Sequence, residues 1–231
     1  MSSCFRIARF LLALVLTGYS AFSADSVYQD GAFAPADWTT IQTAGNGSVA
    51  TSLVPAGGNP DAYRRVDHQN FSGVLVAFHY RNGATYNPAL GAVSTLSFSI
   101  DQLAILNHAG IGVGVLPAIQ QNGINYLPSL SFLVNSSFNW QTLSMTGLGA
   151  ADFRTVASAS EHPDFSASGA PLLLGFVTAN DNGGATLSRA AGFDNWNMVV
   201  TPVPESGTLA LIGLGLVAVV AFHRRHAGPV R

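Results

Sequence analysis

From residue 24 to residue 201 no stretch of ten residues keeps the apolar period of a helix. The apolar runs are short, and Gly, Asn, Pro and Ser separate them. Val93 to Ile100 sets Val93, Thr95 or Leu96, Phe98 and Ile100 against Ser94, Ser97 and Ser99, the alternation of a half-buried strand. Gly73 to Tyr80 is rich in strand formers, and Asn82-Gly83 after it reads as a turn. Ile111 to Ile119, Tyr126 to Val134, Phe138 to Met145, Leu172 to Thr178 and Trp196 to Thr201 complete the set. Asn135-Ser136-Ser137 and Asn180 to Gly184 read as turns between strands. Gln102 to His108 has room for one helical turn. About ten strands joined this way predict an all-β, antiparallel β-sandwich of jelly-roll type. The body, residues 24–201, is the length of one domain.

Both ends differ from this body. Arg6 and Arg9 precede an unbroken apolar core, Phe10 to Leu16, and Ala21-Phe22-Ser23 offers small residues for a cut before Ala24. Residues 1–23 therefore read as a secretory signal peptide. Cys4, the sole cysteine, leaves with it, so the mature chain has no disulfide and no thiolate chemistry. At the other end Leu209 to Phe222 carries no charge and spans about 21 Å as a helix, short of the ~30 Å hydrocarbon core. Its Leu, Val, Ile and Phe side chains make insertion favourable by on the order of 4 kcal/mol. Polar flanks and bilayer thinning absorb the mismatch. A transmembrane helix is expected over 207–222. Arg224 and Arg225 form a basic stop in the tail 223–231, which stays cytoplasmic and leaves the body outside.

Val203-Pro204-Glu205, the glycine-spaced apolar span and Arg224-Arg225 together resemble the PEP-CTERM sorting signal, over about residues 202–226. That resemblance implies a Gram-negative exporter, surface delivery, association with extracellular polysaccharide, and an exosortase as processing partner acting at the Pro-Glu box. Ser206 stands where the second proline of that box is usual.

Composition excludes some roles. The 181 residues from 24 to 204 hold eleven acidic and five basic residues, and lysine is absent from the chain. A net charge near −6 over this stretch offers no cluster of cations for phosphates, so a nucleic-acid partner is not expected.

A second, looser resemblance spans roughly residues 25–202. Asp30-Gly31-Ala32-Phe33 with Trp38, Trp140 to Leu143 with the following Gly147 to Phe153, and Gly192 to Trp196 resemble jelly-roll ectodomains of laminin-G, concanavalin-like and carbohydrate-binding type. That resemblance implies a structural calcium held near the first strand and at an Asp opening the last one, here Asp30 or Asp37 and Asp194. Asx turns at Asp30-Gly31 and Asp194-Asn195 are the competing reading. Trp38 and Trp140 are candidates for stacking on sugar rings, against a core role for both.

Catalytic signals are missing. No Gly-x-Ser-x-Gly elbow and no His-Glu-x-x-His occur, and His68, His79, His108 and His162 lack zinc-pair spacing. A glycosidase needs two placed carboxylates, and the body holds Glu161 as its one Glu, with Asp164 near it on a loop. The expectation is an exported, non-enzymatic sandwich that binds carbohydrate or matrix. A structural or adhesive surface protein is the alternative, and a glycan hydrolase a third.

Overall fold

The computed structural model describes residues 24–107, 112–181, 183, 186–204, 215 and 219. The expected signal peptide, most of the span 207–222, the basic tail and His108 lie outside these residues. Among the described residues no helix is long and apolar enough to cross a membrane. Asp25–Pro202 forms one compact unit that contains every strand and both apolar clusters described below, so it carries its own core.

Ten strands follow one another: β1 Ser26–Asp30, β2 Trp38–Gly58, β3 Asp61–Tyr86, β4 Val93–Leu106, β5 Gly114–Gln121, β6 Ile124–Pro128, β7 Gln141–Leu148, β8 Phe153–Arg154, β9 Leu172–Asp181 and β10 Leu187–Pro202. All pair antiparallel, as expected for hairpin-connected short strands. The hydrogen-bonded order is β7-β4-β10-β3-β9-β5-β6-β8, with β1 on β10 and β2 on β3.

β3 belongs to two layers. Its first half pairs with β10, from Arg64↔Phe193 to Asn70↔Leu187. Its second half pairs with β9, from Val74↔Asp181 to Tyr86↔Leu172. The bend falls between Asn70 and Val74, and Gly73 takes the left-handed backbone there without a Cβ penalty. β2 follows β3 along both halves, with register shifts between Gln42 and Gly47 where the ribbon turns. The front layer is therefore β7-β4-β10 with the first half of β3. The back layer is the second half of β3 with β9, β5, β6 and β8.

The core lies between the layers. Leu96, Phe98 and Ile100 of β4 and Phe193, Met198 and Val200 of β10 face Val115 and Ile119 of β5 and Leu172, Leu174 and Phe176 of β9. A second cluster, Val76, Phe78, Tyr80, Leu116, Ala118 and Val177, uses the opposite face of the back layer, so β5 and β9 are buried on both faces. That is why Leu172 to Thr178 reads as a continuous apolar run rather than an alternating one.

Two local expectations change. Gln102–Leu106 continues β4, because each residue from Gln102 to Leu106 except Ile105 has a β10 partner in the register. Asn82-Gly83 is a bulge inside β3, where the register against β9 slips between Tyr80 and Thr85.

Gly175 marks the closest approach in the back layer. A Cβ there would lie 2.0 Å from the His79 carbonyl oxygen and 2.9 Å from Tyr80 Cα, both backbone atoms. Gly175→Ala is therefore expected to destabilise by at least about 2 kcal/mol, read as a lower urea midpoint of residues 25–202 at unchanged slope. An unchanged midpoint contradicts the β3–β9 register.

Candidate functional site

The hairpin tip between β2 and β3 folds back onto the front layer. Asn59 N–H donates to Asp194 Oδ2 at 2.6 Å, and Asn59 Nδ2 donates to Asp101 Oδ2 at 2.9 Å. Asn195 Nδ2 donates to Asp101 Oδ2 at 2.8 Å and to the Asn59 carbonyl, while Thr142 Oγ1 donates to Asp101 Oδ1 at 2.5 Å. Asp194 and Asp101 are register partners on β10 and β4 and are 1 % and 5 % exposed. Burial raises the Asp194 carboxyl above its ordinary range, against the pull of two backbone N–H donors, and Asp101 and Asp30 raise it further. Asn195 holds a left-handed backbone at the bulge in β10, which turns Asp194 toward the tip.

Asp30 is engaged differently. Its Oδ1 accepts from the backbone N–H groups of Ala32 and Phe33, at 2.8 and 3.1 Å. Its Oδ2 accepts from Trp38 Nε1 at 2.8 Å and from Arg81 Nε at 3.0 Å. Arg81 also reaches Asp37 at 3.3 Å. Both acidic residues expected to supply the early calcium ligand thus pair with one arginine. Among the described residues no group of three or more His, Cys, Asp or Glu side chains is placed to hold a metal.

The two expected stacking tryptophans part ways. Trp38 is 6 % exposed, because Asp30 and Phe33 hold its ring in the core. It stacks on Phe33 at 5.0 Å and meets Trp196 and Phe176 edge-on at 5.3 and 5.4 Å. It is not a surface platform. Trp140, directly before β7, is partly exposed and packs edge-to-face on Tyr63, ring centres 5.4 Å apart at 74°. Trp140 Nε1 donates to the Gly57 carbonyl at 3.0 Å, which ties the ring to the hairpin tip.

Gly192 makes room beneath both rings. A Cβ there would come within 2.9 Å of the Tyr63 ring and 3.0 Å of Trp140 Cη2. Tyr63, Arg65, Asp67 and Gln69 alternate along β3 and share one face. Arg65 grips Asp67 with three contacts of 2.6 to 3.0 Å, both side chains 39 % exposed. The sequence reading did not single out Tyr63 among the tyrosines. The period-two pattern of Tyr63, Arg65, Asp67 and Gln69 was the signal that would have found it.

A second constellation lies inside the sandwich, at the bend of β3. His68 and His79 stand eleven residues apart on either side of the bend, yet both ring Nε2 atoms lie 2.9 Å from Thr178 Oγ1. His68 Nδ1 lies 2.7 Å from Asn180 Oδ1, and His79 Nδ1 lies 3.0 Å from Thr40 Oγ1, which accepts from Arg64 at 2.8 Å. With both rings neutral, one proton arrangement satisfies these contacts. An amide oxygen only accepts, so His68 Nδ1 carries hydrogen and its Nε2 accepts from Thr178. The Thr178 oxygen then accepts from His79 Nε2–H, and His79 Nδ1 accepts from Thr40. One directional chain runs from Arg64 to Asn180, and both imidazoles are neutral. Burial pulls His68 down to about 4 and His79 well below its ordinary value. Burial likewise pulls the Arg64 guanidinium down to about 10, with Asp30 opposing.

Residues 202–225 match the PEP-CTERM protein-sorting motif. No curated protein sequence matches the chain. Among solved structures, the chain is similar to a family 22 xylan-binding domain from Paenibacillus barcinonensis, at 10 % identity and TM-score 0.45, over 79 % of this chain and 99 % of that one. It is similar to the C-terminal family 22 carbohydrate-binding module of a Clostridium thermocellum protein, at 12 % identity and TM-score 0.44, over 75 % and 93 %. A family 30 carbohydrate-binding module of a cellulosomal cellulase from Clostridium thermocellum gives 13 % identity and TM-score 0.37, over 73 % and 99 %.

The neutral histidines set a pH dependence. The unfolded chain protonates His68 near 6.5, the folded one near 4. The unfolded state binds more protons between these values, so stability is whole above about pH 6.5 and declines as pH falls toward 4. The expected loss from His68 is about 3 kcal/mol, read by urea unfolding across this window. His68→Gln should flatten the slope by about one proton. A wild-type stability flat from pH 7 to 4.5 contradicts the buried neutral pair.

Proposed function

We propose that the body is an exported, non-enzymatic β-sandwich that binds carbohydrate on its front layer, with Tyr63 and Trp140 as the contacting rings. The observation that carries this is the ring pair itself: two aromatic side chains held against β10 by Gly192 and by the Trp140–Gly57 hydrogen bond, beside polar groups. Sugar rings present C–H faces to aromatic rings and hydroxyls to polar neighbours such as Arg65, Asp67 and Gln69. The structural neighbours described above include carbohydrate-binding modules. The sorting motif supports delivery to the cell surface or matrix, with an exosortase acting near Val203-Pro204-Glu205 and a transient single-pass anchor over 207–222.

The non-enzymatic reading is supported by the two carboxylates that a hydrolase would need. Hydrogen bonds from Ser166 hold Asp164 below its ordinary range, the wrong direction for a general acid at neutral pH. Glu161 is exposed and meets Thr155 Oγ1 at 3.5 Å.

Titration of residues 25–202 with polysaccharide from the producing organism is expected to change Trp140 fluorescence, because Trp38 and Trp196 are buried. Trp140→Ala or Tyr63→Ala should weaken binding by about tenfold, on the order of 1–2 kcal/mol, with melting temperature little changed. Equal affinity in both variants rules out this face. For calcium, held by Asp194 rather than Asp30, the melting temperature should rise on adding the ion to wild type and not to Asp194→Asn. An unchanged wild-type value after chelation and calcium addition removes the ion.

A further inference from the structure

The longer open edge strand of the sandwich, β2, lacks charged guards. Among the described residues β2 pairs with β3 and with no other strand, so its second edge is open along its length. Natural sheets protect such edges with charges, prolines or bulges. Here the usual distribution is reversed. β3, which has neighbours on both sides, carries Asp61, Arg64, Arg65, Asp67 and Arg81. β2 carries no charged residue from Trp38 to Gly58, and its one proline, Pro55, lies beyond the regular ladder.

Bulges disturb β2 up to Gly47 and again between Val54 and Gly58, but not between the two. From Gly47↔Asn70 to Val54↔Tyr63 the register runs without a break. That arm reads Gly-Ser-Val-Ala-Thr-Ser-Leu-Val, and Ala50 to Leu53 are all exposed. Val49 packs against the core cluster, so Thr51 and Leu53 continue its face beyond the core. Leu53 remains 38 % exposed on that face.

We propose that this arm pairs edge-to-edge, antiparallel, with the same arm of a second copy of the chain, about a two-fold axis at Thr51. The occupant follows from two observations. A body with a net charge near −6 meets its own copy without charge repulsion only where charge is missing, and β2 is such a place. The register centred on Thr51 sets Val49 of one copy opposite Leu53 of the other, twice, and sets Ala50 opposite Ser52. It covers the exposed leucine with the residue that extends the core, and it joins two front layers into one. An isologous contact of this kind closes at a dimer.

Sedimentation of residues 25–202 across the micromolar range tests this. Wild type should shift from monomer to dimer with concentration. Thr51→Lys places two ammonium groups face to face and should raise the dimer dissociation constant by about tenfold or more. Ser144→Lys, on the other open edge at β7, should leave it unchanged. The body has no cysteine, so Thr51→Cys should give a disulfide-linked dimer on oxidation and Ser168→Cys, on a distant loop, should not. A wild type that stays monomeric, including one that instead captures a foreign extended peptide, overturns the proposal. So does a dimer that survives Thr51→Lys or that Thr51→Cys fails to trap. Tyr63→Ala should dimerise as wild type does, which separates this proposal from the carbohydrate reading.

Discussion

The sharing of β3 between two layers is the constraint on which the rest of the molecule depends. One strand of 26 residues exchanges its neighbour from β10 to β9 at Gly73, and β2 follows it round. Hydrogen bonding alone would accept a flat ribbon. The apolar pattern does not. Val66 on the first half and Ala84 and Tyr86 on the second all enter one cluster, which happens only if the ribbon folds over. Once it folds, β10 and β9 face each other, and every other strand is added to one of them. The hairpin tip at Asn59 then reaches Asp194 and Asp101, and the Trp140 ring is held above Gly192. The surface site is thus a consequence of the bend, through the length of the two strands that make it.

The same bend explains the polar interior. A fold this sharp leaves a wedge that small apolar side chains do not fill, and His68, His79, Thr178, Asn180 and Arg64 occupy it. Polar groups in such a place cost about 1–3 kcal/mol each when unpaired. The directional chain through Thr178 satisfies both imidazoles fully. Its ends are less well served. Among the described residues Arg64 Nε and the Asn180 amide nitrogen are buried without a protein partner. Buried water is the usual partner for such groups. The wedge therefore gives specificity more than stability: the network closes in one β3–β9 register, and a slip by one residue would turn His79 and Thr178 to opposite faces.

The strands legible in the sequence were those that the core covers on one face or on both. Val93 to Ile100 alternated because one face of β4 meets the core and the other meets solvent. Leu172 to Thr178 announced burial on both sides. β2 was not legible, because Gly45, Asn46, Gly47, Ser48 and Ala50 have weak strand preference and little alternation. Its state is set by pairing with β3, and a propensity reading has no access to that. The site was legible to a similar degree. Asp194 and Trp140 were candidates from their motifs, and the fold brings both against the hairpin tip. Trp38 was misplaced because a tryptophan near a first strand looks the same whether its ring points in or out. The Asp30 and Arg81 contacts that decide the matter span 51 residues. The His68–His79 pairing was hidden for the same reason: only the bend brings the two together.

Charge links these features. The body has few charges, and most that matter are committed to internal tasks. Arg81 neutralises Asp30 and Asp37, Arg65 holds Asp67, Arg64 sits over the Trp38 ring at 5.7 Å, and Asp101 and Asp194 anchor the hairpin tip. Few remain to cover the rim. In the cytosol an uncharged open edge would be a liability, because edges recruit other unfinished sheets. For a chain bearing a sorting motif, the balance differs. Under the proposed function a neutral, hydroxyl-rich rim would face hydrated polymer outside the cell, and strand pairing would set the ring pairs of two copies side by side. Linked contacts gain through effective concentration what each lacks in affinity. On that reading an unguarded β2 and a two-ring site answer one requirement, a pair of linked contacts instead of one deep pocket.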